Sequence, residues 1–220
     1  MARPRATDHG VKRRAILKRS AERFAEQGYT RTSMAEIAEA CGSSKALLYH
    51  YYTSKEQILY DVLHGHFARL EEAVAIADRP GLPAQERLLA LVTVLLETYE
   101  GADATHKVQL NDLAALPPDR QGELKDAERR LVNRFARVLS EINPRLARGG
   151  SLLKPVTMSL FGMINWHYLW FRPGGAMSRR QYAALVTQMM VDGIANLGES
   201  RPVRRKPAMR AAAASSRLRT

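Results

Sequence analysis

The chain has 220 residues, 45% of them hydrophobic, one cysteine and a formal net charge of +12. That length bounds one medium domain or a small head on a larger body. The lone Cys41 excludes an intrachain disulfide and fits the reducing cytoplasm.

The positive charge is unevenly placed. Residues 1–60 carry 11 Lys and Arg against 6 Asp and Glu, residues 61–198 carry 16 against 15, and residues 199–220 carry 7 against 1. A basic head and tail on a neutral body suit a polyanion, because phosphate contacts supply sequence-independent affinity.

In chain order, the segment Met1–Thr7 lacks the apolar run of a signal peptide and reads as a basic arm or a frayed terminus. A helix follows through Ile16, Leu17, Ala21, Phe24 and Ala25 to Gly28-Tyr29. Ser33 and Glu36 have the Ser-x-x-Glu spacing of a capping box. Met34, Ile37 and Ala38 give that second helix one apolar face, and Gly42 ends it, since glycine accepts the left-handed C-cap conformation. Cys41 sits at this helix–turn junction, a place for a small packing side chain. Ser43 or Ser44 caps a third helix through Lys45, Leu47, Leu48, Tyr49, His50 and Tyr51, and Ser54 with Gln57 reads as a further capping box. Two short helices across a tight turn make a helix-turn-helix, whose second member is the recognition helix.

The body is helical throughout. Ile58, Leu59, Val62, Leu63, Phe67 and Leu70 form a stripe at spacings of 3 and 4. Pro80-Gly81-x-Pro83 interrupts, and helices follow near 84–100, 103–116 and 119–142, the last with an arginine-rich face at Arg129, Arg130, Arg134 and Arg137. Asp126 and Arg130 have i,i+4 spacing for an ion pair. Asn143-Pro144 and Gly149-Gly150 bracket a loop. The stretch 152–171 is apolar nearly all round, so it must be covered on every side. Lys154, Pro155, Asn165 and His167 interrupt it, which favours a buried helix over a membrane span. Ser178 and Gln181 cap a last helix carrying Leu185, Val186, Met189, Met190, Ile194 and Leu197. Residues 199–220 hold almost no large apolar side chain and are expected to be a disordered basic tail. The fold class expected is all-α, divided into a head at 1–55, a body at 56–198 and the tail at 199–220.

The run Ala40-Cys41-Gly42-Ser43-Ser44-Lys45-Ala46-Leu47-Leu48-Tyr49-His50-Tyr51-Tyr52-x-Ser54-Lys55-Glu56, with the helix before it, resembles the tetracycline-repressor-like (TetR) family of bacterial regulators. Ser43 stands where that family mostly has valine, and Leu47 where a small hydroxyl residue often touches DNA. The resemblance implies DNA contacts from Thr32, Ser33, Ser43, Ser44, Lys45, Leu47, Tyr49, His50, Tyr51 and Lys55, largely to phosphate. It also implies a homodimer joined through the 152–171 and final helices, with Leu160, Ile164, Met189, Met190 and Ile194 at the interface.

A looser resemblance joins Asn111–Pro118 and Asn165–Gly175 to the C-terminal domains of family members that respond to acyl-coenzyme A thioesters, which govern fatty-acid, sterol-fragment or phenylacetate degradation. Such a ligand needs apolar walls and a cationic mouth. Asn111, Arg130, Arg134, Asn165, Trp166, Tyr168, Trp170 and Arg172 are the candidates, although dimer core is the blander role for the tryptophans and a solvated helix face for the arginines.

No Gly-rich phosphate loop, nucleophile elbow or paired carboxylates appear, and His64 and His66 fall too far around a helix to share a metal. The expectation is therefore a cytoplasmic ligand-responsive repressor, not an enzyme, with no resident cofactor and no membrane contact. Its partners are an operator duplex, a second copy and a small effector such as phenylacetyl-CoA or a fatty acyl-CoA. The alternatives are the same fold with a free hydrophobic or drug-like ligand, or a nonspecific DNA-binding protein.

Overall fold

Capping chemistry sets the helix boundaries in the computed structural model, which describes residues 4–148 and 152–197. Among these residues there are ten α-helices and no strand. The head holds α1 (Pro4–Gln27), α2 (Met34–Ala40) and α3 (Lys45–Tyr51), and α4 (Lys55–Ala77) leads into the body. There follow α5 (Ala84–Thr98), α6 (Asp103–Asp112), α7 (Pro118–Ile142), α8 (Leu153–Asn165), α9 (His167–Trp170) and α10 (Arg179–Ile194).

Ser33 and Glu36 close the expected capping box on α2, and Ser178 with Gln181 does the same on α10. At the end of α2, Gly42 adopts φ +60°. Its N–H bonds the Glu39 carbonyl and that of Ser43 bonds Ala38, both at 2.9 Å. This pair of bonds is the Schellman motif, which turns the chain sharply into α3.

The apolar residues form two clusters that divide along α4. Ile58, Leu59, Val62, Leu63 and Phe67 belong to the head cluster with Ile16, Phe24, Ile37, Leu48 and Tyr52. Leu70 and Val74 belong to the body cluster with residues of α5, α7, α8 and α10. The head cluster also takes Val108 of α6, Leu116, and Leu124 and Ala127 of α7. Burying one such aliphatic side chain is worth about 1.5–3 kcal/mol, so α4 is fixed from both sides.

A second tie is ionic. Arg87 at the start of α5 donates from Nε and Nη2 to Asp78 Oδ1 at 3.0 and 2.9 Å, and also to Glu141 of α7. Arg134 reaches Asp78 Oδ2 at 3.0 Å. Asp78 and Arg87 are almost fully buried, and the two guanidiniums hold the Asp78 carboxyl below its usual range against the opposing effect of burial.

Several sequence expectations are corrected. The chain is already helical from Pro4, so residues 4–7 form the first turn of α1 rather than an arm; proline is tolerated there because a first-turn N–H has no intrahelical partner. Ser54 caps α4, but Gln57 accepts from Thr53 instead of closing a box. Arg130 pairs with Glu71 of α4, and Asp126 with Arg129 at i,i+3. The 152–171 helix is broken after Asn165. There the Asn165 carbonyl lies 3.2 Å from His106 Nε2 and its amide oxygen accepts from Tyr99, which takes that residue out of the helical ladder. The tail at 199–220, residues 1–3 and Gly149-Gly150 lie outside the described residues.

Replacing Asp78 with Asn should lower stability by about 3 kcal/mol, because it leaves the buried Arg87 charge short of its partner. The midpoint of urea unfolding measures this.

Candidate functional site

The recognition helix is anchored by one buried residue. Leu48 has no exposed surface and sits in the head cluster, which turns the rest of α3 outward. Ser44 caps the helix by accepting from Leu47 N at 3.1 Å. Lys45, Leu47, Tyr49 and His50 are exposed, with the Lys45 ammonium 5.9 Å from the Tyr49 ring. Leu47 therefore faces outward, an apolar side chain of the kind that can meet a thymine methyl. Tyr51 is half-buried and stacks on His9 of α1 at 4.6 Å. Ser33, on the cap of α2, lies exposed.

Two of the expected contact residues have structural employment instead. Thr32 is buried, donates to the Gly28 carbonyl at 2.9 Å and accepts from Gln27. Lys55 Nζ donates to the carbonyls of Thr32, Tyr29 and Thr30 at 2.7, 2.8 and 3.3 Å, and lies 4.3 Å from the Tyr29 ring centroid. An ammonium has three donors, so none remains for a phosphate. Lys55 holds the α1–α2 turn. Ser43 is half-buried, and its backbone closes the Schellman motif.

The body residues expected to bind a ligand do not converge. Asn111 is exposed and bonds the Lys107 carbonyl. Arg130 is committed to Glu71 of α4, and Arg134 to Asp78, the residue that caps the end of α4. Arg172 is exposed, Trp166 and Trp170 are 58% and 49% exposed, and only Asn165 and Tyr168 reach inward. Four of the five expected interface residues, Leu160, Ile164, Met190 and Ile194, are buried in the protomer's own core, and Met189 alone is exposed. The reason is that α8 and α10 are apolar on two faces, and α5 and α7 take these four residues' side. Their outer faces carry Met158, Gly162 and Trp166, and Leu185 and Met189.

Sequence reasoning missed two features. The first is a seam of buried histidines at the junction of head and body. His66 of α4, His106 of α6 and His167 of α9 are all buried, with Tyr99 tilted against His106 at 4.1 Å and Tyr168 edge-on to it at 5.6 Å. Because a carbonyl can only accept, the Asn165 contact makes His106 Nε2 the protonated nitrogen. Burial, with the nearby His106 and Arg69, pushes His66 down to about 3, and burial with Arg179 and His106 pushes His167 down to about 4. His66 lies four residues from both Val62 and Leu70 on the buried stripe, and that register was the signal in the sequence. Among the described residues no His, Cys, Asp or Glu group is placed to hold a metal.

The second is a cleft of about 560 Å³ between α7 and α8. Val132, Ala136, Leu153, Thr157 and Met158 line it with Arg129, Lys154, Asn133 and Glu128. Its size is that of a small-molecule site, and burial raises the Glu128 carboxyl.

Comparison with known proteins agrees with this geometry. Residues 16–62 match the family described as bacterial regulatory proteins of the tetR family, and residues 81–194 match the tetracyclin repressor-like C-terminal domain. A TetR-family transcriptional regulator from Bordetella parapertussis 12822 has a similar structure, with TM-score 0.79 and 37% identity over 84% of this chain and 96% of that one. The transcriptional repressor KstR2 of Rhodococcus jostii is 29% identical over 89% of this chain and 98% of its own length. AibR, solved with isovaleryl coenzyme A and operator DNA, is similar at TM-score 0.70 and 27% identity over 81% of this chain and 97% of that one.

A histidine kept neutral by the fold makes the unfolded chain the better proton acceptor below about pH 6.5. Stability should thus be full above that pH and fall as pH is lowered towards the folded values near 4 and 3, at up to about 1.4 kcal/mol per pH unit for each imidazole. Thermal melts between about pH 7.5 and 5 test this, and His66→Phe should flatten the slope.

Proposed function

The chain belongs to the tetracycline-repressor-like (TetR) family of bacterial transcriptional regulators, and on that premise we propose that it is a homodimeric repressor released from its operator by an acyl-coenzyme A thioester. Members of this family bind DNA and are not enzymes. The observation that carries the DNA-binding reading is the outward set on α3, namely Lys45, Leu47, Tyr49 and His50 around the buried Leu48. Ser33 and Ser44 flank it, Tyr51 braces it, and Thr32, Ser43 and Lys55 shape the turns that hold it.

In this reading residues 1–55 are the DNA-binding unit, residues 56–198 bind ligand and dimerise, and the protein works in the cytoplasm. The dimer forms through the outer faces of α8 and α10. Met158, Trp166, Leu185 and Met189 are large apolar side chains left exposed there, and a second copy of the same two helices would cover them. Two recognition helices would then stand about 34–36 Å apart, one turn of B-DNA.

The effector class rests on the α7–α8 cleft and on the AibR ligand. Apolar residues on α7 and α8 suit an acyl chain, and Arg129 and Lys154 at the rim suit the phosphates of coenzyme A. Glu128 inside the same cleft would instead favour a cationic hydrophobic ligand, which is the second reading. An effector weakens DNA binding only by its differential affinity for the two arrangements of the heads.

The test uses a duplex selected by the protein from a random pool, read by fluorescence anisotropy. Isovaleryl- or phenylacetyl-CoA should release the duplex while the free acids do not. Lys154→Ala should weaken that response about tenfold without changing DNA affinity. No release by any acyl-CoA, with release by a lipophilic cation, would establish the second reading. Lys45→Ala should weaken DNA binding and reduce the salt slope by about one, and Met189→Glu should convert the dimer to monomer in native mass spectrometry.

A further inference from the structure

A separate cleft of about 250 Å³ lies where head meets body, between α1, α4 and the start of α6. Arg14 and Lys18 enter it from α1 and Arg69 from α4. Asp61 is the carboxylate among its lining residues, and Arg13 already engages it at 2.5 Å. Arg14, Lys18 and Arg69 make no ion pair among the described residues. Three cations around one concavity repel each other, so the arrangement gains free energy from a multiply charged anion.

The surrounding backbone suits the same ligand. Gly65 forms part of the wall, and a Cβ built on it meets nothing within 4 Å, so the space above it is open. Gly101 turns the chain with φ +68°, and α6 then begins at Asp103 with no side chain capping its first amides. Thr105 adds a hydroxyl to the lining. Asp103 offsets part of the α6 dipole but does not line the cleft.

We propose that this cleft binds a phosphate-class dianion, and that the bound anion ties α1 of the head to α4 and to α6 of the body. The volume fits a phosphate or pyrophosphate group rather than a whole coenzyme. The site lies on different helices from the α7–α8 cleft, so it stands or falls independently of the acyl-CoA reading. A free phosphate compound and a DNA backbone phosphate share this chemistry, and the concave lining favours the free one.

Inorganic pyrophosphate is the probe, titrated into the full-length dimer by calorimetry at constant ionic strength. Saturable binding is expected, weakened about tenfold by Arg69→Ala and by Lys18→Ala. Gly65→Met keeps every charge and fills the space, so it should abolish binding, while Arg137→Gln, an exposed charge on α7, should leave it unchanged. Non-saturable heat, or equal binding by Gly65→Met, would overturn the proposal in favour of general ion screening. Loss of affinity for a nonspecific duplex in Arg69→Ala and Lys18→Ala, with no pyrophosphate binding by the wild type, would overturn it in favour of a DNA contact.

Discussion

The burial of one face of α4 by two different cores is the constraint on which the rest of the molecule depends. From Ile58 to Phe67 the helix completes the head, and from Leu70 to Val74 it completes the body. Neither cluster closes without it. Because interiors pack as densely as organic crystals, a shift of α4 that suits one cluster is felt by the other. The head therefore has no flexible linker to the body. Its orientation is set by packing, by Arg130–Glu71 on the outer face and by the Asp78–Arg87–Arg134 network at the far end.

The histidine seam sits against the middle of that helix. His66 comes from α4 itself, His106 from α6, and Asn165 links His106 and Tyr99 to the end of α8. The junction thus combines a rigid apolar stripe with a polar node tying three body helices together. Lys107 of α6 also reaches the Ala25 carbonyl of α1 at 2.6 Å, so α6 grips the head from the other side. Rearrangement of the body would reach the DNA-facing surface through α4 and α6 together, as one displacement of packed elements.

Much of this was legible in the sequence because it depends on local chemistry. The capping boxes at Ser33 and Ser178, the Gly42 stop and the Pro83 boundary each act within one turn, and the structure places them as read; the helix expected at 103–116 instead ends at Asp112 and gives way to a short 3-10 turn. What depended on distant partners was not legible. Arg130 meets an acid on α4, and Arg134 one at its C-terminal cap, 59 and 56 residues away. Periodicity could not orient α8, since Leu160 and Ile164 on its inner face and Met158 and Trp166 on its outer face are equally apolar. The break at Asn165 carries no glycine or proline signal, because tertiary hydrogen bonds make it. A lysine in a basic head reads as a phosphate contact until its three carbonyl partners are seen.

That lysine limits how the head can vary. The Lys55 ammonium is a compact point on a flexible stem, and three carbonyls of the α1–α2 turn converge on it. Arginine carries the same charge in a planar fork suited to two parallel acceptors, which cannot bond three oxygens gathered around a single point. The exchange usually regarded as mildest is therefore among the harsher ones here. At this position descent with change is restricted by the shape of a cation rather than by its sign, and the restriction comes from folding rather than from the nucleic acid the head faces.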